Sequence, residues 1–337
     1  MEAKGIITML VLAVFVAHQL SLTSAGRIGV CYGTVADNLP SPQEVINLYK
    51  KYGIQMMRIF SPTPEILEAL RGTGILLSVG IVNDDLKALS SSQESANSWV
   101  ATNIVPYKDN VTFGWITAGN EVIPGTLAQY VPGAMTNIYN ALVNVSLDQI
   151  KVTTVVPASA LGATYPPSAG AFKDEVVDVM TQISKFLQSH GAQLMVNVYP
   201  YFAYAENSAD ISLPYAQFAA DTPIVDGNLN YYSLYAAMVD SFNAALEKIG
   251  TPDVVVAVSE SGWPSAGNEP YSSIENAKAY NTNLMSHVLS EGTPRRPNQE
   301  YDVFLFAMFN EDLKQPAGVE QNFGLFYPNM EPVYPLF

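Results

Sequence analysis

The chain has 337 residues, 48% hydrophobic and 14% charged, a globular balance that suits one large domain or two small ones. Its formal net charge of −15 argues against nucleic acid and anionic membranes as partners and fits a neutral substrate. The single cysteine, Cys31, can form no internal disulfide, so the fold must be held by its core; the residue reads as a buried small hydrophobe, not a nucleophile. At the start of the chain, Lys4 precedes an apolar stretch, Ile6 to Ala17, and a small-residue exit, Leu22-Thr-Ser-Ala25-Gly. This predicts a secretory signal peptide over 1–25, cleaved near Ala25 or Gly26, ahead of one domain over 27–337. The apolar stretch is too short for a membrane span. The chain ends in Val333-Tyr-Pro-Leu-Phe337, which carries no hydrophobic tail for a lipid anchor.

Along that domain, short apolar strand-like runs alternate with helical patterns. The first run is Ile28-Gly-Val-Cys-Tyr32. Ser41-Pro-Gln-Glu44 then predicts a helix start, with Ser41 as cap, proline in the first turn and Glu44 three residues on. Further strands are expected at Gln55 to Phe60, Ile75 to Val79, Phe113 to Thr117, Ile150 to Val155, Gln193 to Tyr199, Val254 to Ser259 and Val303 to Met308. Thr63-Pro64 between the second and third repeats the cap-and-proline start. Eight strands alternating with helices predict an α/β fold, a closed parallel (β/α)8 TIM barrel forming a single domain. A doubly wound open sheet is the competing architecture. Its nucleotide-binding forms need a glycine-rich phosphate loop after the first strand, which Cys31-Tyr-Gly-Thr-Val35 does not supply.

Two carboxylates stand out against this pattern. Glu260 ends the apolar run that starts at Val254, where a buried strand has no structural use for a charge. Glu121 follows the fourth strand in Gly119-Asn-Glu121. In a barrel both lie at the carboxyl ends of strands and face one mouth. Two carboxylates so placed can perform acid/base work on a glycosidic bond. The bland alternatives are a helix-start carboxylate for Glu121 and a structural ion-pair partner for Glu260. Other chemistries lack their parts. The three histidines, His18, His190 and His287, show no zinc-ligand spacing, and no Gly-x-Ser-x-Gly elbow is present, so neither metal nor cofactor is expected. The sequons at Asn110 and Asn144 are glycosylation candidates, each just ahead of a strand and so at the rim opposite that mouth.

The block Ser259-Glu-Ser-Gly-Trp-Pro264, together with Gly119-Asn-Glu121 ahead of it, resembles the plant family 17 glycoside hydrolases, the secreted β-1,3-glucanases and their β-1,3-1,4-glucanase relatives. The resemblance runs from Ile28-Gly-Val-Cys-Tyr-Gly33 to Asn322-Phe-Gly-Leu-Phe326, nearly the whole domain. It implies an eight-stranded barrel, Glu260 as nucleophile, Glu121 as general acid and then base, and Asn120 as ligand of the sugar 2-hydroxyl. It also implies that Glu311, Lys314 and Glu320 surround the pair, where Lys314 would tune the charge of nearby carboxylates; a solvated charged loop is the alternative. Sugar rings stack on aromatic faces, so Tyr32, Tyr199, Phe202, Trp263 and Phe323 are cleft candidates. Asn197 shares the parity of Tyr199. Two departures from the family pattern are visible: Arg58-Ile-Phe-Ser-Pro62 replaces a more common tyrosine and aspartate version, and Asp312 stands where asparagine is frequent.

The expected function is that of a secreted, retaining endo-glucanase, monomeric and cofactor-free, acting on β-1,3-glucan outside the cell rather than in the vacuole. A mixed-linkage β-1,3-1,4-glucanase, an inactive glucan-binding protein and a transglycosylase are the competing expectations.

Overall fold

The computed structural model describes residues 26–337; the expected signal peptide lies outside them. Eight parallel strands close into one barrel, each hydrogen-bonded to its neighbours in chain order. They are β1 (Arg27–Tyr32), β2 (Met56–Ile59), β3 (Leu76–Ile81), β4 (Thr112–Asn120), β5 (Lys151–Pro157), β6 (Leu194–Asn197), β7 (Val256–Ser261) and β8 (Asp302–Leu305). Closure comes from β1, which pairs with β2 through Val30↔Met57 and with β8 through Val30↔Leu305. The barrel expectation is thereby met. The strands are continuous apolar runs because the lumen and the helical ring bury both faces. At the amino-terminal rim, Arg27 grips Asp302 through two 2.8 Å bonds and joins the first strand to the last.

The helices begin as the sequence pattern anticipates. In helix Pro42–Lys51, the Glu44 carboxylate accepts from both the backbone N–H and the hydroxyl of Ser41, at 2.9 and 2.7 Å. Thr63 precedes helix Pro64–Leu70 but makes no side-chain cap bond. Helix Val177–His190 ends on Gly191 in the left-handed region (φ 57°), a conformation glycine adopts without a Cβ penalty.

Two features were not anticipated. Loops at the carboxyl end carry two-stranded antiparallel pieces, Leu161–Ala163 with Ala171–Phe172 and Ile224–Asp226 with Leu229–Tyr231. Strand ends also shift: β3 and β4 run further toward the carboxyl rim than expected, and β6 stops at Asn197. Asn110 and Asn144 are both exposed, ahead of β4 and at the end of helix Val131–Asn144. Among the described residues, no helix is long and apolar enough to cross a membrane.

Candidate active site

The site is built where strands stop. β4 leaves the barrel through Gly119 (φ 90°), where a Cβ would press on Val122 and Leu86 at 3.0 and 3.1 Å. Two residues later Glu121 itself adopts φ 56°, a left-handed conformation unusual for a residue with a side chain. The Glu121 N–H is held by the Val155 carbonyl at 3.0 Å, and the turn directs its side chain over the mouth. In β7 the register against β6 slips between Val258 and Glu260. This irregularity sets Glu260 beside Asn197 and aims it into the same space.

Around these two carboxylates lies a cleft of about 720 Å³, a size suited to a substrate of several sugar rings. Glu121, Glu260, Asn120, Asn197, Tyr199, Phe202, Glu311, Lys314, Glu320 and Phe323, all singled out from the sequence, line it. Two expected cleft aromatics lie elsewhere. Trp263 is fully buried, its indole N–H donating to the Tyr271 carbonyl at 2.9 Å and its ring packed on Tyr201 and Tyr280. A ring that follows the strand end folds inward here because those two tyrosines offer it an apolar socket. Tyr32 is only 3% exposed, sits edge-on to Phe309 and is not among the residues lining the cleft.

The two carboxylates occupy contrasting environments. Glu260 Oε1 accepts from Arg58 Nη1 at 2.5 Å, and its Oε2 accepts from the Tyr199 hydroxyl at 2.8 Å. Burial works against the Arg58 charge, but Glu260 and Cys31 together more than offset it, so the guanidinium stays protonated. Burial likewise pushes the Tyr199 phenol well above its ordinary range and keeps it a donor. Among the described residues no cation is in contact with Glu121. Its Oε1 accepts one neutral bond, from Asn197 Nδ2 at 2.7 Å. Burial first, then the charge of Glu260, raises its pKa; the Asn197 bond only partly opposes them. One carboxyl therefore sits against a guanidinium and a hydroxyl, and the other favours keeping its proton, which is the division of roles that acid and nucleophile need.

Asn120 connects the two halves. Its Oδ1 accepts from Arg58 Nη2 at 2.7 Å, so one buried arginine fixes both Glu260 and Asn120. Asn197 is also fixed, by Ser259 Oγ donating to its Oδ1 at 2.8 Å, which turns its amide nitrogen toward Glu121. Arg58 is the main residue of the site that the sequence pattern does not single out, since it stands there only within an atypical segment. A signal existed: a charge inside an apolar strand run, the same oddity that exposed Glu260. Its guanidinium lies 4.4 Å from the ring centre of Phe60, which stands edge-on to Phe306, and Lys314 Nζ sits 4.1 Å from the Phe306 ring centre. The two cations of the site thus flank an aromatic pair.

The charged cluster forms the far wall. Lys314 Nζ is 3.9 Å from both Glu311 and Glu320. Glu311 is buried, accepts the Val35 N–H at 2.8 Å, and has its pKa raised, chiefly by burial and against the pull of Lys314. A side-chain carbon at Gly33 would collide with this carboxylate, so any larger residue there must displace Glu311. Glu206, exposed at the end of helix Pro200–Glu206, adds a further carboxylate to the rim that the sequence reading did not single out. Asp312 points away and accepts from Asn38 at 3.0 Å.

Comparison with known proteins agrees with this architecture. The profile for glycosyl hydrolases family 17 matches residues 28–336. A probable glucan endo-1,3-beta-glucosidase, BG4, of Arabidopsis thaliana is 45% identical over 320 residues, covering 94% of this chain and 92% of its own. A glucan endo-1,3-beta-glucosidase of Vitis vinifera is 43% identical over 326 residues, covering 95% and 94%. Among solved structures, CJP38, a beta-1,3-glucanase and allergen of Cryptomeria japonica pollen, superposes with a TM-score of 0.89 at 44% identity, over 92% of this chain and 98% of its own. One of two plant beta-glucan endohydrolases with distinct substrate specificities superposes at 0.88, also at 44% identity, over 91% and 99%. The chain belongs to glycosyl hydrolase family 17 and is a glycoside hydrolase.

Proposed function

We propose that the protein is a secreted endo-β-1,3-glucanase that cleaves internal bonds with retention of configuration. The observation that supports this most is the asymmetry of the carboxylate pair: Glu260 is gripped by Arg58 and Tyr199, whereas Glu121 is burial-raised and held by one amide. In the first step Glu121 gives its proton to the glycosidic oxygen while Glu260 attacks the anomeric carbon. The leaving chain departs as an alcohol, and a glycosyl ester forms on Glu260. In the second step Glu121, now ionised, takes a proton from water, and the resulting attack on the anomeric carbon frees Glu260. Asn120, steadied by Arg58, would engage the 2-hydroxyl, and Tyr199, Phe202 and Phe323 would offer faces to the sugar rings.

The similarity to glucan endo-1,3-beta-glucosidases over nearly the whole chain supports the β-1,3 linkage, and the expected signal peptide supports export to the extracellular space. Laminarin and a barley-type mixed-linkage glucan, offered separately, test the linkage. Laminarin should be shortened to oligosaccharides with retained anomeric configuration, visible by NMR in the first minutes. Faster cleavage of the mixed-linkage polymer would reassign the specificity, and an inverted product would reassign Glu260 from nucleophile to base.

A further inference from the structure

After a register shift at Leu77/Ser78, β3 and β4 pair continuously from Ser78↔Trp115 to Ile81↔Ala118, and there β3 ends. β4 continues through Asn120, whose backbone N–H and C=O both face the side that β3 has vacated. Two peptide groups left open there would let the strand end fray. The residue that would have stood in register is Asn83. Its backbone has turned away to open a short 3₁₀ turn, Asn83–Asp85, ahead of helix Leu86–Ser91. Its side chain takes the strand's place: Asn120 N–H donates to Asn83 Oδ1 at 2.8 Å, and Asn83 Nδ2 donates to the Asn120 carbonyl at 3.0 Å.

We infer that Asn83 is a positioning residue for the acid/base. A primary amide is the one uncharged side-chain group that mimics a peptide edge, with an acceptor and a donor side by side. It therefore continues the ladder for one more residue without continuing the strand. The next residue is Glu121, whose left-handed backbone (φ 56°) persists only where its neighbours over-determine it. On the far side that role falls to the Val155 carbonyl; on the near side it falls to Asn83. Asn83 is not among the residues lining the cleft and acts on Glu121 through the Asn120 backbone. The inference deepens the proposed function and rests on Glu121 being the proton donor.

The test compares substrates that need the proton with one that does not. Asn83→Ala removes both bonds; Asn83→Asp keeps the acceptor for the Asn120 N–H and sets a second oxygen against the Asn120 carbonyl. For each, kcat/KM is measured on laminarin and on a 2,4-dinitrophenyl β-laminaribioside, whose leaving group departs without protonation. A displaced acid costs about 100-fold on laminarin, the penalty typical of misplacement near 1 Å, while the activated glycoside stays within a few-fold. Asn83→Asp is expected between the wild type and Asn83→Ala. Equal losses on both substrates, with or without a drop in melting temperature, would mark Asn83 as merely structural and overturn the inference, as would wild-type rates on both. Glu121→Gln run alongside separates the two levels. If it shows the substrate split and Asn83→Ala does not, only the positioning role fails. If Glu121→Gln shows no split, the acid assignment fails and takes the inference with it.

Discussion

Replacing Glu121 by glutamine removes a proton donor while keeping shape and the acceptor that Asn197 Nδ2 addresses at 2.7 Å. Two consequences follow in opposite directions. On the proposed mechanism catalysis loses its general acid, a contribution of about 10²–10⁴-fold, or about 3–5 kcal/mol of barrier at 1.36 kcal/mol per tenfold. Stability at neutral pH should rise. The folded-state pKa of Glu121 is raised, by burial and then by Glu260, so the folded protein holds this proton more tightly than the unfolded chain. The associated stability is fully present below the unfolded pKa and is lost as pH climbs through the raised folded value. Glutamine carries no charge to desolvate and escapes that loss. Melting curves of both proteins from pH 3 to 8 should converge at the acid end and separate at neutral pH, with the variant melting higher. The same upward shift moves the basic limb of the wild-type kcat/KM profile to higher pH than an ordinary glutamate would give. A variant that keeps more than about a hundredth of its laminarin activity contradicts the 10²-fold floor of the acid term. A variant that melts lower at neutral pH contradicts the electrostatic reasoning.

Other expectations rest on single contacts. Gly33→Ala drives a methyl into the buried Glu311 carboxylate and should lower kcat on laminarin with little change in fold by circular dichroism, because Glu311 and Lys314 must shift together. Phe202→Ala, removing a cleft ring that is 42% exposed, should raise KM more than it lowers kcat, the signature of lost ground-state binding. Asp240→Ala lies outside the cleft: the fully buried carboxylate accepts from Thr293 Oγ1, Asn243 Nδ2 and the Arg295 N–H at 2.6, 2.9 and 2.8 Å. Stranding these donors should cost about 3 kcal/mol in urea unfolding while activity at low temperature persists.

The barrel was legible because its strands are buried on both faces and so read as apolar runs broken by capped helices. Glu260 was legible for the same reason, as a charge where that environment tolerates none. Glu121 needed the barrel count to bring it to the same mouth. What escaped the sequence is instructive in physical terms. The two small antiparallel pieces have strands of two or three residues, too short to show an alternation. Asn83 sits in Val82-Asn-Asp-Asp85, a stretch that reads as an ordinary turn, and its role depends on a register relation with a residue 37 positions away. Trp263 and Tyr32 misled because chain position places the Cα at the mouth while the ring's packing is decided by residues far along the chain: Tyr201 and Tyr280 for one, Phe309 for the other.

The central claim is that Glu260 forms a covalent bond to the sugar and Glu121 does not. A 2-deoxy-2-fluoro laminaribiosyl fluoride, which slows breakdown of such an ester, should trap it. After incubation, peptide mass spectrometry is predicted to find one fluoroglycosyl adduct per chain, on the peptide carrying Glu260, with activity lost in proportion. An adduct on Glu121 or Glu311, or full activity with no adduct, would contradict the account.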